Sequence, residues 1–333
     1  MVQVERLLAD CLDDARTAPM GTVPLDAEDT GYAAARRTFL AAGLHALREH
    51  APDAGWVQLN VRAEPAGWPC LYRRLAVTAR DLLGTGTARD FFFMHKPPGL
   101  RVRFHAAQPA RAEELRATLV RRLAPAADGS WAEPVCDVYE PETYLFGGPR
   151  SMPHVHRLFT ADSLAWLDAH TAVAGEPVPA DWRVSLTLLG SVFDGLGIVG
   201  WEHRGVWQAV RDGTGRRLPG GLGDAARQRA ADGIRAYWDQ SPDDRLAALP
   251  EHWRDVLRPH TRQVRRAAER WRAHYFASGG ASVGPRRAAA HHVIFHWNRG
   301  RLSTARQCLL TEALAGDGHE TGDPATGGPE EAD

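Results

Sequence analysis

Apolar and polar positions alternate over Trp56-Val57-Gln58-Leu59-Asn60-Val61, the period-two signature of a strand with one buried face. Before it, two stretches with helical spacing, roughly Val4 to Ala15 and Gly31 to Glu49, flank a Pro/Gly/Asp-rich segment from Pro19 to Asp29. After it, Pro69 to Leu83 carries apolar residues at helical spacing. Phe91 to Met94 and Leu100 to Phe104 then flank a Pro97-Pro98-Gly99 turn and read as a hairpin. An amphipathic helix over Ala110 to Leu123 and a strand over Pro134 to Tyr139 complete the order β-α-β-β-α-β, the ferredoxin-like arrangement.

Beyond Gly147-Gly148-Pro149 the pattern becomes helical. Helices are predicted near Met152 to His170, Trp182 to Val199, Gly205 to Arg211, Asp224 to Trp238, Trp253 to Phe276, Pro285 to Arg299 and Ser303 to Leu314. Strands in one half and helices in the other define an α+β class, because a doubly wound sheet needs sustained strand-helix alternation. The expected organisation is a helical preface over 1–52, a sheet portion over 53–148 and a helical portion over 149–315 packed on it, the last two forming one domain. Residues 316–333, Gly/Pro/acidic and poor in apolar side chains, read as a disordered tail.

Composition narrows the function classes. Forty basic and 41 acidic side chains nearly cancel, so the net charge of -1 favours neither a nucleic-acid nor a membrane partner. The 44% hydrophobic content supports a real core. Cys11, Cys70, Cys136 and Cys308 lack CxxC spacing, against both a zinc site and a disulfide framework. With no bilayer-length apolar run and no charged-then-apolar leader, a cytoplasmic protein is expected. Gly84-Thr85-Gly86 lacks the further glycine of a dinucleotide fingerprint, and no P-loop lysine motif occurs, so NAD and ATP sites are not expected.

The strand Leu100-Arg101-Val102-Arg103-Phe104 turns its apolar residues to one side and both arginines to the other. Two guanidinium forks on a rigid element make an anion site or, more commonly, a solvated sheet face. Downstream, Tyr139 to Pro149 ends in a glycine pair that can bend the backbone toward a cleft, with Glu142 and Tyr144 as candidate side chains. On the helix over 285–299, His292, His296 and Arg299 share a face and Trp297 lies on a neighbouring one. His296 is then either a general acid or base or a buried histidine tying helices together. His292 and His296 have the i, i+4 spacing of half a metal site, but two imidazoles leave the coordination sphere incomplete, so no metal is expected. The run Arg262, Arg265, Arg266, Arg270 and Arg272, interrupted by Glu269, reads as a solvated or peptide-facing surface.

Taken in order, Arg101 to Phe104, Glu140 to Pro149, Leu158-Phe159-Thr160-Ala161-Asp162-Ser163 and Asn298-Arg299 resemble the thiopeptide-type bacteriocin biosynthesis family. That family is related to the C-terminal glutamate-elimination domain of class I lantibiotic dehydratases and to thiopeptide pyridine synthases. The resemblance covers about residues 55 to 314 and implies a mixed sheet-plus-helices fold acting on a ribosomal precursor peptide that carries a leader. In the elimination branch, glutamate esterified to Ser or Thr is removed to leave dehydroalanine or dehydrobutyrine. The resemblance then implies that Arg101 and Arg103 hold the glutamate or stabilise developing negative charge. Glu142 would orient an arginine or handle a proton, and His296 would shuttle one. His292, Arg299, Tyr144 and Trp297 are the accompanying substrate-binding candidates.

The chain departs from the family at Leu145, where elimination domains carry an arginine, and at Ile294, where they carry a histidine. Those departures keep two alternatives open. One is a formal [4+2] pyridine synthase that closes a macrocycle and expels the leader. The other is a non-catalytic peptide-binding partner of a glutamylating enzyme. No cofactor is implied in any branch; the expected partners are the precursor peptide and a glutamyl-tRNA-dependent dehydratase, with a homodimer expected from base rates.

Overall fold

The computed structural model describes residues 9–11, 13, 30–50, 55–125, 129, 131–172, 180–218 and 221–316. The expected helix over 4–15 is therefore described only at 9–11 and 13, all helical, and most of the expected tail lies outside the described residues. The chain divides into two compact units, Met1–Asp53 and Ala54–Asp333. In the first, helix α1 (Thr30–His50) carries Tyr32, whose hydroxyl donates to the Asp10 carboxylate.

The second unit opens with the predicted β-α-β-β-α-β order: β1 (Trp56–Arg62), α2 (Trp68–Gly84), β2 (Ala88–Lys96), β3 (Gly99–Ala106), α3 (Ala112–Arg122) and β4 (Val135–Asp137). The sheet is antiparallel with strand order β2-β3-β1-β4, the ferredoxin-like order. Strand β4 is shorter than expected. The chain leaves the sheet at Val138, and Tyr139 turns toward the face that carries the arginines. Leu100, Val102 and Phe104 are buried with Val57, Leu59, Val61, Phe91 and Phe93, as alternation requires. Helices α2 and α3 bury their apolar stripes in the same core, through Leu71, Leu75, Leu82, Leu115 and Leu119.

Helices follow: α4 (Met152–Thr171), α5 (Asp181–Leu196), α6 (Glu202–Thr214), α7 (Ala225–Trp238), α8 (Pro242–Ala247), α9 (Glu251–His274), α10 (Pro285–Gly300) and α11 (Thr304–Ala315). Asp224 caps α7 and Ser303 caps α11, each side chain accepting a backbone N–H of the first turn. Along α9 the buried positions Trp253, Leu257, His260, Val264, Ala267, Ala268 and Trp271 keep helical spacing, so Arg262, Arg265, Arg266, Arg270 and Arg272 fall on the exposed side. Arg265 pairs there with Glu269 at 3.2 Å, the solvated surface read from the sequence. Among the described residues no helix is long and apolar enough to cross a membrane.

The central helix, α4, packs against β2, α2, α9 and α10. It also closes the open edge of the sheet. The outward N–H of Phe91 donates to Thr160 Oγ1 at 3.0 Å, and that of Phe93 donates to Ser163 Oγ at 3.3 Å. Edge-strand amides need such partners when buried. Replacing Ser163 by Ala strands the buried Phe93 amide and is expected to cost about 1–3 kcal/mol in denaturant unfolding; an unchanged unfolding midpoint would show that the contact is not needed.

Candidate functional site

Strand register builds the site. Phe92 lies opposite Arg103, Arg103 opposite Gln58 and Gln58 opposite Asp137, so these four side chains form one row across the sheet face away from the α2/α3 core. Met94, Arg101, Asn60 and Val135 form the next row. Apart from Asn60 and Val135, these side chains line a cleft of about 640 Å³, closed on the far side by the segment from Val138 to Phe146 and by Met152, Phe159 and Phe295. The glycine bend read from the sequence holds that segment. Gly147 has φ +92, and a Cβ there would collide with the Tyr275 hydroxyl, which donates to the Gly147 carbonyl at 2.6 Å.

Arg103 is only 5% exposed. Its guanidinium lies between two aromatic rings, 5.0 Å from the centre of Phe92 and 4.9 Å from that of Tyr139. Its Nε donates to Gln58 Oε1 at 2.6 Å, and the Gln58 amide in turn donates to Asp137 Oδ2 at 2.9 Å. Asn60 donates to the same oxygen at 2.8 Å. Hydrogen bonds from Asn60, the Val138 amide and Gln58 hold the Asp137 carboxyl below its ordinary range.

Among the described residues no carboxylate forms an ion pair with Arg103; its polar partner there is a neutral amide. Burial therefore lowers its pKa to about 10, with Arg101 and Arg299 adding repulsion and Tyr139 and Glu142 opposing the shift. Half-buried Arg101 stands beside it, with Lys96, the sequence's single lysine, at the same mouth. Glu140, Glu142 and Asp137 supply negative charge to the cleft, and Tyr144, 75% exposed, stands at its rim.

The structure thus separates the predicted residues into two groups. Arg101, Arg103, Glu142 and Tyr144 meet in the cleft. His292, His296, Trp297 and Arg299 do not; all four are buried on α10. The expectation that His296 faces substrate is corrected by its partners. Nδ1 lies 2.7 Å from Asp162 Oδ1 and Nε2 lies 3.0 Å from Ser185 Oγ, so both nitrogens are occupied and water is excluded. Trp297 Nε1 donates to the same Ser185 hydroxyl at 3.2 Å. Arg299 donates to Asp162 Oδ2 at 2.8 Å and stacks 4.2 Å from the centre of Phe159, beneath the cleft floor. His292 packs against Phe159, and among the described residues neither of its ring nitrogens has a hydrogen-bond partner.

Asp162, His292 and His296 place ligand-type atoms within 4.8 Å of one another. Arg299 already supplies the positive charge at that carboxylate, so the arrangement reads as a salt-bridged core and not as a metal centre. Burial opposes ionisation of Asp162, but His296 and Arg299 outweigh it and hold the carboxyl well below its ordinary range.

Departures at Leu145 and Ile294 also find a place. Both are half-buried among core side chains, outside the cleft lining, while the adjacent Phe146 and Phe295 line it. Sequence reasoning missed Gln58, which positions Arg103, and the contact between Tyr139 and His156, whose hydroxyl and Nε2 lie 2.8 Å apart. The one signal for Gln58 was its polar place in an alternating strand.

The α+β fold thus carries, on the open face of its ferredoxin-like sheet, a cleft in which a buried arginine meets no carboxylate among the described residues. The profile of the family described as lantibiotic biosynthesis dehydratase C-term matches residues 56–316, and the chain belongs to that family. Among solved structures, the tRNA-dependent lantibiotic dehydratase MibB from Microbispora sp. 107891 is similar, with a TM-score of 0.50 and 18% identity. The match covers 78% of this chain and 27% of that one, so this chain spans about a quarter of the length of MibB and shares its fold there. TsrL matches with a TM-score of 0.42 and 14% identity over 78% of this chain and 93% of that one. No curated protein matches the sequence.

Two outcomes test the buried network. Asp162→Asn leaves Arg299 buried without a counter-charge and is expected to destabilise the fold by about 3–5 kcal/mol in chemical denaturation; a loss below about 1 kcal/mol would contradict the role given to this pair. Burial also lowers the pKa of His95 to about 3, of His170 to about 4 and of His292 to about 3. The unfolded chain, with ordinary histidines near about 6.5, therefore takes up more protons on acidification, and stability falls as pH drops below that value. The urea midpoint is expected to fall between about pH 7.5 and about pH 5.5, before carboxylates titrate. A flat midpoint across that window would contradict it.

Proposed function

We propose that this chain acts on a ribosomally made precursor peptide, removing glutamate from glutamylated Ser or Thr to leave dehydroalanine or dehydrobutyrine. The observation that carries this reading is Arg103, a buried guanidinium whose hydrogen-bond partner is Gln58 and not a carboxylate, beside Arg101. A buried cation with a neutral partner favours an arriving anion. Esterified glutamate presents a carboxylate and an ammonium, and the cleft offers both signs: Arg101, Arg103 and Lys96 against Glu140, Glu142 and Asp137.

Elimination requires loss of the Cα proton, stabilisation of the resulting enolate and departure of the glutamate carboxylate. Arg103 is rigid and desolvated, so its field acts where water cannot screen it, and Arg101 at the mouth holds the departing carboxylate. His296 contributes by fixing α4 and α10 beneath the floor, as Asp162 and Arg299 do. The ester would come from a separate glutamyl-tRNA-dependent enzyme, and the leader of the precursor would supply further binding.

The apolar floor favours a second reading, formal [4+2] pyridine formation between two dehydroalanines. Phe92, Phe146, Phe159 and Phe295 give a surface on which two segments of one peptide can be held together.

Incubation with a glutamylated precursor is expected to release glutamate, and Arg103→Gln is expected to slow release by about 100-fold to 1000-fold. No glutamate from the wild-type chain would overturn the elimination reading. A new macrocycle and freed leader from a dehydrated, azole-bearing peptide would establish the cyclising one.

A further inference from the structure

Tyr139 enters the cleft wall beside Arg103, immediately after β4. Its hydroxyl lies 2.8 Å from Nε2 of His156, a residue on the second turn of α4 that is only 6% exposed. Both rings are clamped. Trp56 stands 4.8 Å from Tyr139 and 4.4 Å from His156, and Phe92 stacks on the imidazole at 5.9 Å. With the His156 proton on Nδ1, the phenol donates to Nε2.

Behind this pair lies a buried carboxylate. Asp90 is held by Arg157 at 3.2 Å, by Arg89 at 3.1 Å and by His105 at 3.7 Å, and His105 stacks flat on Trp56 at 4.8 Å. Burial opposes ionisation of Asp90, but His105, His156, Arg157 and Arg89 outweigh it and keep the carboxyl below its ordinary range. An ionised Asp90 favours positive charge on His156. On the cleft side, the Arg103 guanidinium over the Tyr139 ring favours negative charge on the phenol oxygen. A proton moving from Tyr139 to His156 therefore meets a favourable field at both ends.

We infer that Tyr139 is the catalytic residue that takes the substrate proton, and that His156 is the relay residue behind it. The assignment rests on the elimination reading. Tyr139 passes its hydroxyl proton to His156, and the phenolate removes the Cα proton of the glutamylated residue. The C–H electron pair is first held as the enolate, then forms the Cα=Cβ bond as the Cβ–O bond breaks, and glutamate leaves as its carboxylate between Arg103 and Arg101. His156 then releases its proton to solvent, so the balance is one ester converted to one alkene, one carboxylate and one proton. His296 has no such access, because Asp162 and Ser185 occupy its nitrogens.

The test measures kcat and KM for glutamate release from a glutamylated serine peptide with the full chain. Tyr139→Phe keeps the stacking and is expected to lower kcat at least about 100-fold with KM within about threefold. His156→Gln can still accept the phenol hydrogen bond but cannot take its proton, and is expected to lower kcat at least about tenfold. Imidazole in the buffer is expected to restore activity to His156→Ala but not to Tyr139→Phe, a rescue that a purely structural histidine would not show. Wild-type kcat in Tyr139→Phe would overturn the assignment and leave the elimination reading standing. Wild-type kcat in His156→Gln, or no rescue of a folded His156→Ala, would overturn the relay. Absence of glutamate release from the wild-type chain would overturn the elimination reading and the assignment with it.

Discussion

The Asp162 carboxylate, sealed from water, is the contact on which the cleft depends. From α4 it accepts His296 and Arg299 of α10, while Ser185 of α5 holds the other side of the imidazole. Such a buried pair adds little net stability over an apolar substitute, because desolvation offsets most of the attraction. Its effect is to fix register. A slip of α4 against α10 would leave a carboxylate and a guanidinium unpaired in the core. With the register fixed, α4 presents Thr160 and Ser163 to the edge of β2 and Phe159 to the cleft floor, and α10 presents Phe295 beside it.

Of the three arginines buried among the described residues, Arg103, Arg245 and Arg299, the two at the cleft and its floor differ in their partners. Arg299 meets a carboxylate, so its charge is cancelled and the residue acts as a strut. Arg103 meets the side-chain oxygen of Gln58, which fixes its orientation without cancelling its charge. The sandwich between Phe92 and Tyr139 keeps water from solvating it fully. In the proposed function, counter-charge and not burial separates the strut Arg299 from Arg103 at the cleft. It also explains why the cleft sits on this face of the sheet, since the opposite face is filled by α2 and α3.

Much of this was legible in the sequence, for physical reasons. Period-two alternation in β1 and β3 fixed which side chains share a face, and with it the pairing of Arg101 with Arg103. The β-α-β-β-α-β order left the ferredoxin-like sheet as the natural solution. Helical spacing placed His292, His296 and Arg299 on one side of α10, but spacing cannot tell a face that meets solvent from one that meets Asp162, which lies 134 residues from His296 in the chain. The same limit hid the Tyr139–His156 contact. One residue follows a short strand and the other lies on a helix, and only the packing of α4 along β2 brings them together. Strand β4 ended earlier than alternation implied, because the chain turns at Val138 to carry Tyr139 into the cleft.

In the proposed function, Arg103 keeps an uncancelled charge for an anion of glutamate type. Titration of free L-glutamate into the protein, followed by the amide resonances of β3 or by calorimetry and compared with L-glutamine, tests it most directly. Saturable glutamate binding, weaker for glutamine and lost in the charge-removing Arg103→Gln variant, is the predicted result. Glutamate binding of equal strength in that variant would mean that Arg103 does not hold the anion.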